Sequence, residues 1–238
     1  MTDDILDRVK LPGTEMLLLR SGKHIAIRVG KRTLMSSDVH DSEDHFGRIV
    51  AAAVGGVAKP RILIGGLGLG FTLRAVLDGV PPNARIDVAE LVPEVVRWNK
   101  AAHGDYAGRP LEDPRVRLKV EDVAAAIARS KAGYHAISLD VDNGPNAITH
   151  PANEKLYRRA GLAAIRDALK PGGVLAVWSS FPSRLFTTSL EVVGSVELVR
   201  TPPTFSGGPR YYIWLARKRD RGRAVSKASK RGARSRPK

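Results

Sequence analysis

The chain has 238 residues, 43% of them apolar, and no cysteine. That length and composition suit one α/β domain with short additions and a real core, and they exclude disulfides and thiolate metal sites. The net charge of +15 is unevenly spread: Arg217–Lys238 holds eleven Lys/Arg and one acid, whereas the remainder holds 28 basic and 23 acidic residues.

The opening Met1-Thr2-Asp3-Asp4 is acidic and lacks the apolar stretch of a signal peptide, and no apolar run is long enough to span a bilayer. A cytoplasmic protein without membrane contact is the expectation. Met16–Arg20 and Ile25–Val29 flank Ser21-Gly22-Lys23, and Thr33–Met35 follows Gly30-Lys31. This pattern predicts a short antiparallel meander. A polar stretch, Ser36–His45, runs into a helix that ends near Gly55-Gly56.

Strand and helix then alternate. Strands are predicted at Arg61–Ile64, Arg85–Glu90, Val116–Val120, His135–Asp140 and Val174–Trp178. Helices are predicted through Leu77, from Pro93, from Asp122, and over Asn153–Leu169 until Pro171-Gly172-Gly173. Such alternation implies a parallel sheet with helices on both faces. The last two strand-like runs, Val196–Arg200 and Tyr211–Ala216, are joined by a proline-rich loop with no helix between them. The expected fold is a doubly wound, Rossmann-like α/β sheet of seven strands, of the class I S-adenosylmethionine-dependent methyltransferase type, with a short N-terminal β meander. The expected divisions are residues 1–45 for the meander and linker, 46–218 for the nucleoside-binding domain, and 219–238 for a disordered basic tail. That tail offers weak, nonspecific electrostatic contact to nucleic acid, or simply aids solubility.

The run Gly65-Gly66-Leu67-Gly68-Leu69-Gly70 sits between a strand and a helix. Gly66, Gly68 and Gly70 allow positive φ and close backbone approach to a nucleoside. Twenty residues on, Glu90 closes the next strand, where a carboxylate can accept from both ribose hydroxyls. Asp122 closes the third strand, where it can accept from an adenine amino group and also cap the following helix. Asp140-Val141-Asp142-Asn143-Gly144-Pro145 closes the fourth strand. Its carboxylates and amide suit a cationic partner, and a carboxylate there can orient or deprotonate an attacking amine. The same residues also make turns for purely local reasons. The histidines show no metal-ligand spacing, and neither a G-x-S-x-G elbow nor a Walker lysine is present.

Together these residues resemble the spermidine synthase family, the polyamine aminopropyltransferases, from about Arg32 to Lys218. The glycine run resembles that family's nucleoside loop, Val88–Val96 its ribose segment, and Asp113-Pro114-Arg115 with Glu121-Asp122 its adenine-side stretch. Tyr134–Pro145 resembles the strand and loop of the catalytic aspartate, here Asp140, and Pro151–Tyr157 the segment after it. Pro203–Gly208 resembles the late substrate-side loop. The resemblance implies transfer of an aminopropyl group from decarboxylated S-adenosylmethionine to an amine such as putrescine, without a metal, in an enzyme that is a homodimer. It implies substrate contacts from Asp142, Asn143, Glu43, Asp44 and Tyr157. Three departures stand out. Leu67 and Leu69 occupy the place of the loop acid. The loop after Asp140 is short. Glu43, Asp44 and His45 stand where the family has a tyrosine and a glutamine. A methyltransferase using intact S-adenosylmethionine, or a noncatalytic nucleoside binder with a nucleic-acid-binding tail, would use the same scaffold.

Overall fold

A computed structural model describes residues 3–140, 154–201 and 210–220. Asp142, Asn143, the Pro203–Gly208 loop and residues 221–238 of the tail lie outside the described residues.

Four strands open the chain: β1 (Asp4–Leu11), β2 (Thr14–Ser21), β3 (His24–Val29) and β4 (Arg32–Ser36). They form an antiparallel sheet in sequence order, so the meander has one strand more than the sequence pattern suggests. Helix α1 (Asp41–Ala53) follows, and the expected boundary at residue 45 falls inside it. The main sheet begins with β5 (Arg61–Gly65), α2 (Phe71–Gly79), β6 (Arg85–Glu90), α3 (Pro93–Lys100), β7 (Val116–Val120), α4 (Val123–Ala128) and β8 (Tyr134–Leu139). It continues with α5 (Glu154–Tyr157), α6 (Arg159–Ala168), β9 (Leu169–Ser179), α7 (Arg184–Leu190), β10 (Ser195–Arg200) and β11 (Tyr212–Arg217).

The main sheet has the order β10-β11-β9-β8-β5-β6-β7. Strands β5 to β9 pair in parallel, while β11 slots antiparallel between β9 and β10. This is the doubly wound, seven-stranded arrangement expected of the sequence. Two elements depart from it. Helix α7 fills the connection between β9 and β10, capped by the Ser183 hydroxyl accepting from the Phe186 N–H at 3.2 Å. Strand β9 runs through Pro171-Gly172-Gly173, because α6 ends at Ala168 and the chain extends from Leu169 without a loop.

Alternation along the strands divides the core. Ile62, Ile64, Ala176 and Ile213 face a cluster that also contains Phe46 and Val50 of α1 and Leu18 and Ile27 of the meander. Leu63, Ile137, Leu139, Leu175 and Trp214 face the opposite cluster, with Ile165 of α6 and Phe186 of α7. The meander thus shares its core with the main sheet. Helices α1 and α2 pack at close range through small residues. A Cβ on Gly47 would lie 2.5 Å from the Ala75 Cβ and 2.7 Å from the Thr72 carbonyl oxygen.

Candidate nucleoside and acceptor site

The strand register assembles the site. Gly65 pairs with Ala89 of β6 and with Leu139 of β8, and Glu90 pairs with Val120 of β7. The residues just beyond this row therefore emerge together at the carboxyl edge of the sheet: the glycine run, Glu90, Asp122 and Asp140. That edge is where doubly wound folds bind ligands. A cleft of about 1050 Å³, including its open mouth, lies there, lined by all six of Gly66, Gly68, Gly70, Glu90, Asp122 and Asp140.

The glycine run turns tightly, with φ of 89° at Gly66, 55° at Gly68 and 90° at Gly70. These left-handed values are costly for any residue with a Cβ. Gly70 is the N-cap of α2. Glu90 ties the run down: one carboxylate oxygen accepts from the Leu67 N–H and the other from the Val92 N–H, both at 2.8 Å. The Gly68 and Leu91 N–H groups also face this carboxylate, which lines the cleft. Burial pushes the Glu90 carboxyl up from the ordinary glutamate range, and the surrounding N–H groups of Val92, Leu67, Gly68 and Leu91 oppose that shift. Asn99, on α3, is a further support that motif reasoning does not find. Its amide donates to the Gly68 carbonyl at 2.7 Å and to the Val95 carbonyl at 2.9 Å.

Asp122 serves as the N-cap of α4, accepting from the Ala124 N–H at 2.8 Å, and also lines the cleft. Asp140 follows directly after β8, and its N–H donates to the Gly65 carbonyl at 3.1 Å. Glu43 projects from the first turn of α1 into the cleft. It is 8% exposed, and the Ser42 hydroxyl donates to its carboxylate. Burial raises its pKa, with the Ser42 bond opposing. Asp44 is one residue further round the helix and turns away: it pairs with the His40 Nδ1 at 3.0 Å and lines neither this cleft nor its neighbour. Tyr157 is also outside the cleft lining. Its ring packs edge-on against Phe186, 5.2 Å between centroids, in the core cluster on the other side of the sheet. The expectation that Asp44 and Tyr157 contact substrate is therefore not matched by where these two side chains lie.

A second cavity, about 770 Å³, adjoins the first and shares Leu34, Met35, Glu43 and Asp140 with it. Its far wall is Trp178 at the end of β9 and Tyr211 just before β11, with ring centroids 4.9 Å apart. The meander supplies the apolar side of the first cleft through Leu11, Met16, Ile27, Leu34 and Met35. The Met35 thioether meets the Leu69 N–H at 3.0 Å, so β4 lies directly over the glycine run. Leu67 and Leu69 are buried against this wall. Among the described residues, the lining of the first cleft includes five carboxylates (Glu43, Glu90, Glu121, Asp122 and Asp140) and no Lys, Arg or His. The second cavity likewise has Glu43 and Asp140 and no cation. No group of three or more potential metal ligands occurs among the described residues, and none of the described helices is long and apolar enough to cross a membrane.

The chain is similar to known proteins in fold and in part of its sequence. No family model matches the chain. Putrescine N-methyltransferases 4 and 1 of Nicotiana tabacum are each 34% identical to it over 128 residues, 53% of this chain and 32% of theirs. The chain thus matches about a third of the length of these relatives. Among solved structures, a spermidine synthase in complex with the transition-state analogue AdoDATO superimposes with a TM-score of 0.69 at 15% identity, covering 91% of this chain and 73% of that one. Spermidine synthase from Thermotoga maritima gives 0.68 at 16% identity with the same coverage. A probable spermidine synthase from Corynebacterium glutamicum gives 0.65 at 20% identity, covering 90% of this chain and 80% of that one. The chain has the fold of the spermidine synthases and resembles the putrescine N-methyltransferases in sequence over about half its length.

Proposed function

We propose that the chain is a transferase that moves the aminopropyl group of decarboxylated S-adenosylmethionine to an amine acceptor such as putrescine. The observation that carries this reading is the charge of the paired cavities, which hold carboxylates and no cationic side chain among the described residues. A decarboxylated donor bears a sulfonium and an ammonium and no carboxylate. Intact S-adenosylmethionine would bring its carboxylate into a lining whose charged side chains, among the described residues, are all acidic, which is unfavourable at low dielectric. Leu67 and Leu69 remove the loop acid, and Glu43, across the cleft on α1, supplies the missing negative charge.

In this mechanism Glu90 accepts from the ribose hydroxyls while its other lone pairs hold the loop. Asp122 lies at the adenine edge. The acceptor amine occupies the second cavity, its chain against Trp178 and Tyr211, which favour a cation over their ring faces. Asp140, on the boundary between the cavities, accepts a proton from the attacking nitrogen. The uncharged nitrogen attacks the methylene carbon beside the sulfonium, the C–S bond breaks, and the electron pair returns to sulfur as a neutral thioether. Alignment supplies most of the acceleration, because the sulfonium is already a good leaving group. Asp142 and Asn143 follow Asp140 in the chain and are proposed as further amine contacts.

Methyl transfer from intact S-adenosylmethionine is the second reading, favoured by the sequence similarity to proteins named putrescine N-methyltransferases. Incubation with either donor and a panel of diamines, followed by mass spectrometry, separates the readings. Methylthioadenosine with an aminopropylated diamine is the expected result. S-adenosylhomocysteine with a methylated diamine would replace the proposal with the second reading, and nucleoside binding without any product would overturn both.

A further inference from the structure

The face of β5, β6 and β7 opposite the meander carries a separate groove of about 730 Å³. Helix α4, which packs on this face through Val123, Ala126 and Ile127, has only six residues, Val123–Ala128. The chain then turns sharply: Ala132 has a φ of 45°, and the N–H groups of Ala132 and Gly133 donate to the Asp167 and Ala168 carbonyls at the end of α6, both at 2.8 Å. This turn places Lys131 on the rim. On β7, Arg117 and Lys119 lie two residues apart, so they point to one face with their Cα atoms about 6.6 Å apart. Arg61 and Arg129 complete the cationic lining.

Two acids, Asp87 and Glu121, also line the groove, and both are already engaged. Asp87 pairs with Arg61 at 2.8 Å and with Arg85 at 3.0 Å. Glu121 accepts from one Arg129 nitrogen with both oxygens, at 2.6 and 2.7 Å. Arg117, Lys119 and Lys131 are exposed and have no carboxylate partner among the described residues. Three like charges facing one concavity repel one another, and an anion placed between them relieves that repulsion. The single aromatic lining residue, Tyr134, is buried with the Arg61 guanidinium 4.6 Å from its ring centroid, so it offers no open face for stacking a base. The groove therefore suits charge without base recognition.

We propose that this groove is an anion site that takes a short phosphate chain, with Arg117, Lys119 and Lys131 as its principal ligands. It backs onto the nucleoside cleft, since Ala89 and Glu121 line both, but it needs no part of the transfer chemistry. The chemistry recognised is the oligophosphate itself, whether inorganic or carried by a nucleotide.

Calorimetric titration of the full chain with inorganic tripolyphosphate and with uridine triphosphate tests this. The triple variant Arg117→Gln/Lys119→Gln/Lys131→Gln retains the basic tail, so the comparison isolates the groove. The expected result is one site per chain, weakened at least tenfold in the triple variant and weakened by added salt, with an unchanged unfolding midpoint in the absence of ligand. Lys131→Gln alone should show a smaller loss, and this single change on the turn stands in if the triple variant is unstable. Equal binding of the two probes supports recognition of the phosphate chain alone. Tighter binding of uridine triphosphate supports a nucleotide source. Equal affinity of wild type and triple variant overturns the proposal, because binding then lies elsewhere. So does a wild type that ignores tripolyphosphate yet binds an RNA oligonucleotide through the same three residues.

Discussion

On the nucleoside side, the cleft is made of strand ends and of groups that hold one another in place. Glu90 grips the N–H groups of Leu67 and Val92, Asn99 grips the Gly68 carbonyl, and the Asp140 N–H closes onto Gly65. On the acceptor side, the wall comes from four distant stretches of chain: β4, the start of α1, the end of β9 and the start of β11. The first half is preorganised by backbone geometry. The second depends on how the meander and α1 pack on the sheet. A change of substrate can therefore occur in the second half without disturbing the first, with Glu43 and Asp140 lining both.

Asp140 stands where the halves meet, and its substitution has the largest expected effect. Asp140→Asn keeps the shape and removes the proposed proton acceptor. Turnover should fall by about 10²–10⁴-fold, the usual contribution of a general base, while the dissociation constant for methylthioadenosine changes little. Full activity in the variant would remove Asp140 from the mechanism.

Glu90→Gln tests the first half alone. An amide cannot accept from both Leu67 and Val92, so one buried N–H faces a donor. The variant should lose about 1–3 kcal/mol of stability, read by urea denaturation, and bind nucleoside about 10–100-fold more weakly. Nucleoside affinity that survives intact would mean that Glu90 is only a brace for the loop.

Trp178→Leu tests the second half. Loss of the aromatic face should raise KM for the diamine by about tenfold, consistent with a partly desolvated cation–π contact, and leave KM for the nucleoside donor unchanged. An equal rise in both would show that the two cavities are not separate subsites.

These halves also differ in how far the sequence reveals them. Strands β6 and β7 fall where periodicity places them, Arg85–Glu90 and Val116–Val120. Gly66, Gly68, Gly70, Glu90 and Asp122 follow at fixed offsets from such strand ends, so local pattern points to them, whereas Asn99 lies within α3 and has no such offset. Trp178 and Tyr211 could be read as strand residues but not as a shared wall, because their meeting depends on β11 pairing antiparallel with β9. Strand β1 escapes the pattern because it is an edge strand, largely solvent-facing, with charges interleaved among its apolar residues. Helix α7 escapes because seven residues containing two threonines and a serine give weak helical periodicity. Asp44 and Glu43 are adjacent in sequence, and only the helix rotation of α1 decides which one enters the cleft.

Glu43 gives the smallest effect and the most direct view of the acceptor half, since it titrates. Burial holds its pKa above the ordinary value of 4.5. Relative to Glu43→Gln, the wild type should show a stability contribution that is complete below pH 4.5 and is lost as pH rises through the raised folded value, because the folded state retains the proton more tightly than the unfolded chain. Binding should run the other way. The carboxylate that attracts an ammonium forms only above the raised pKa, so KM for the diamine should fall by a few-fold, roughly the worth of a partly screened ion pair, as pH rises through it. Glu43→Gln should flatten this profile. A KM profile of the same shape in both proteins would mean that the amine does not meet Glu43, and that the charge missing at Leu67 and Leu69 is not restored from α1.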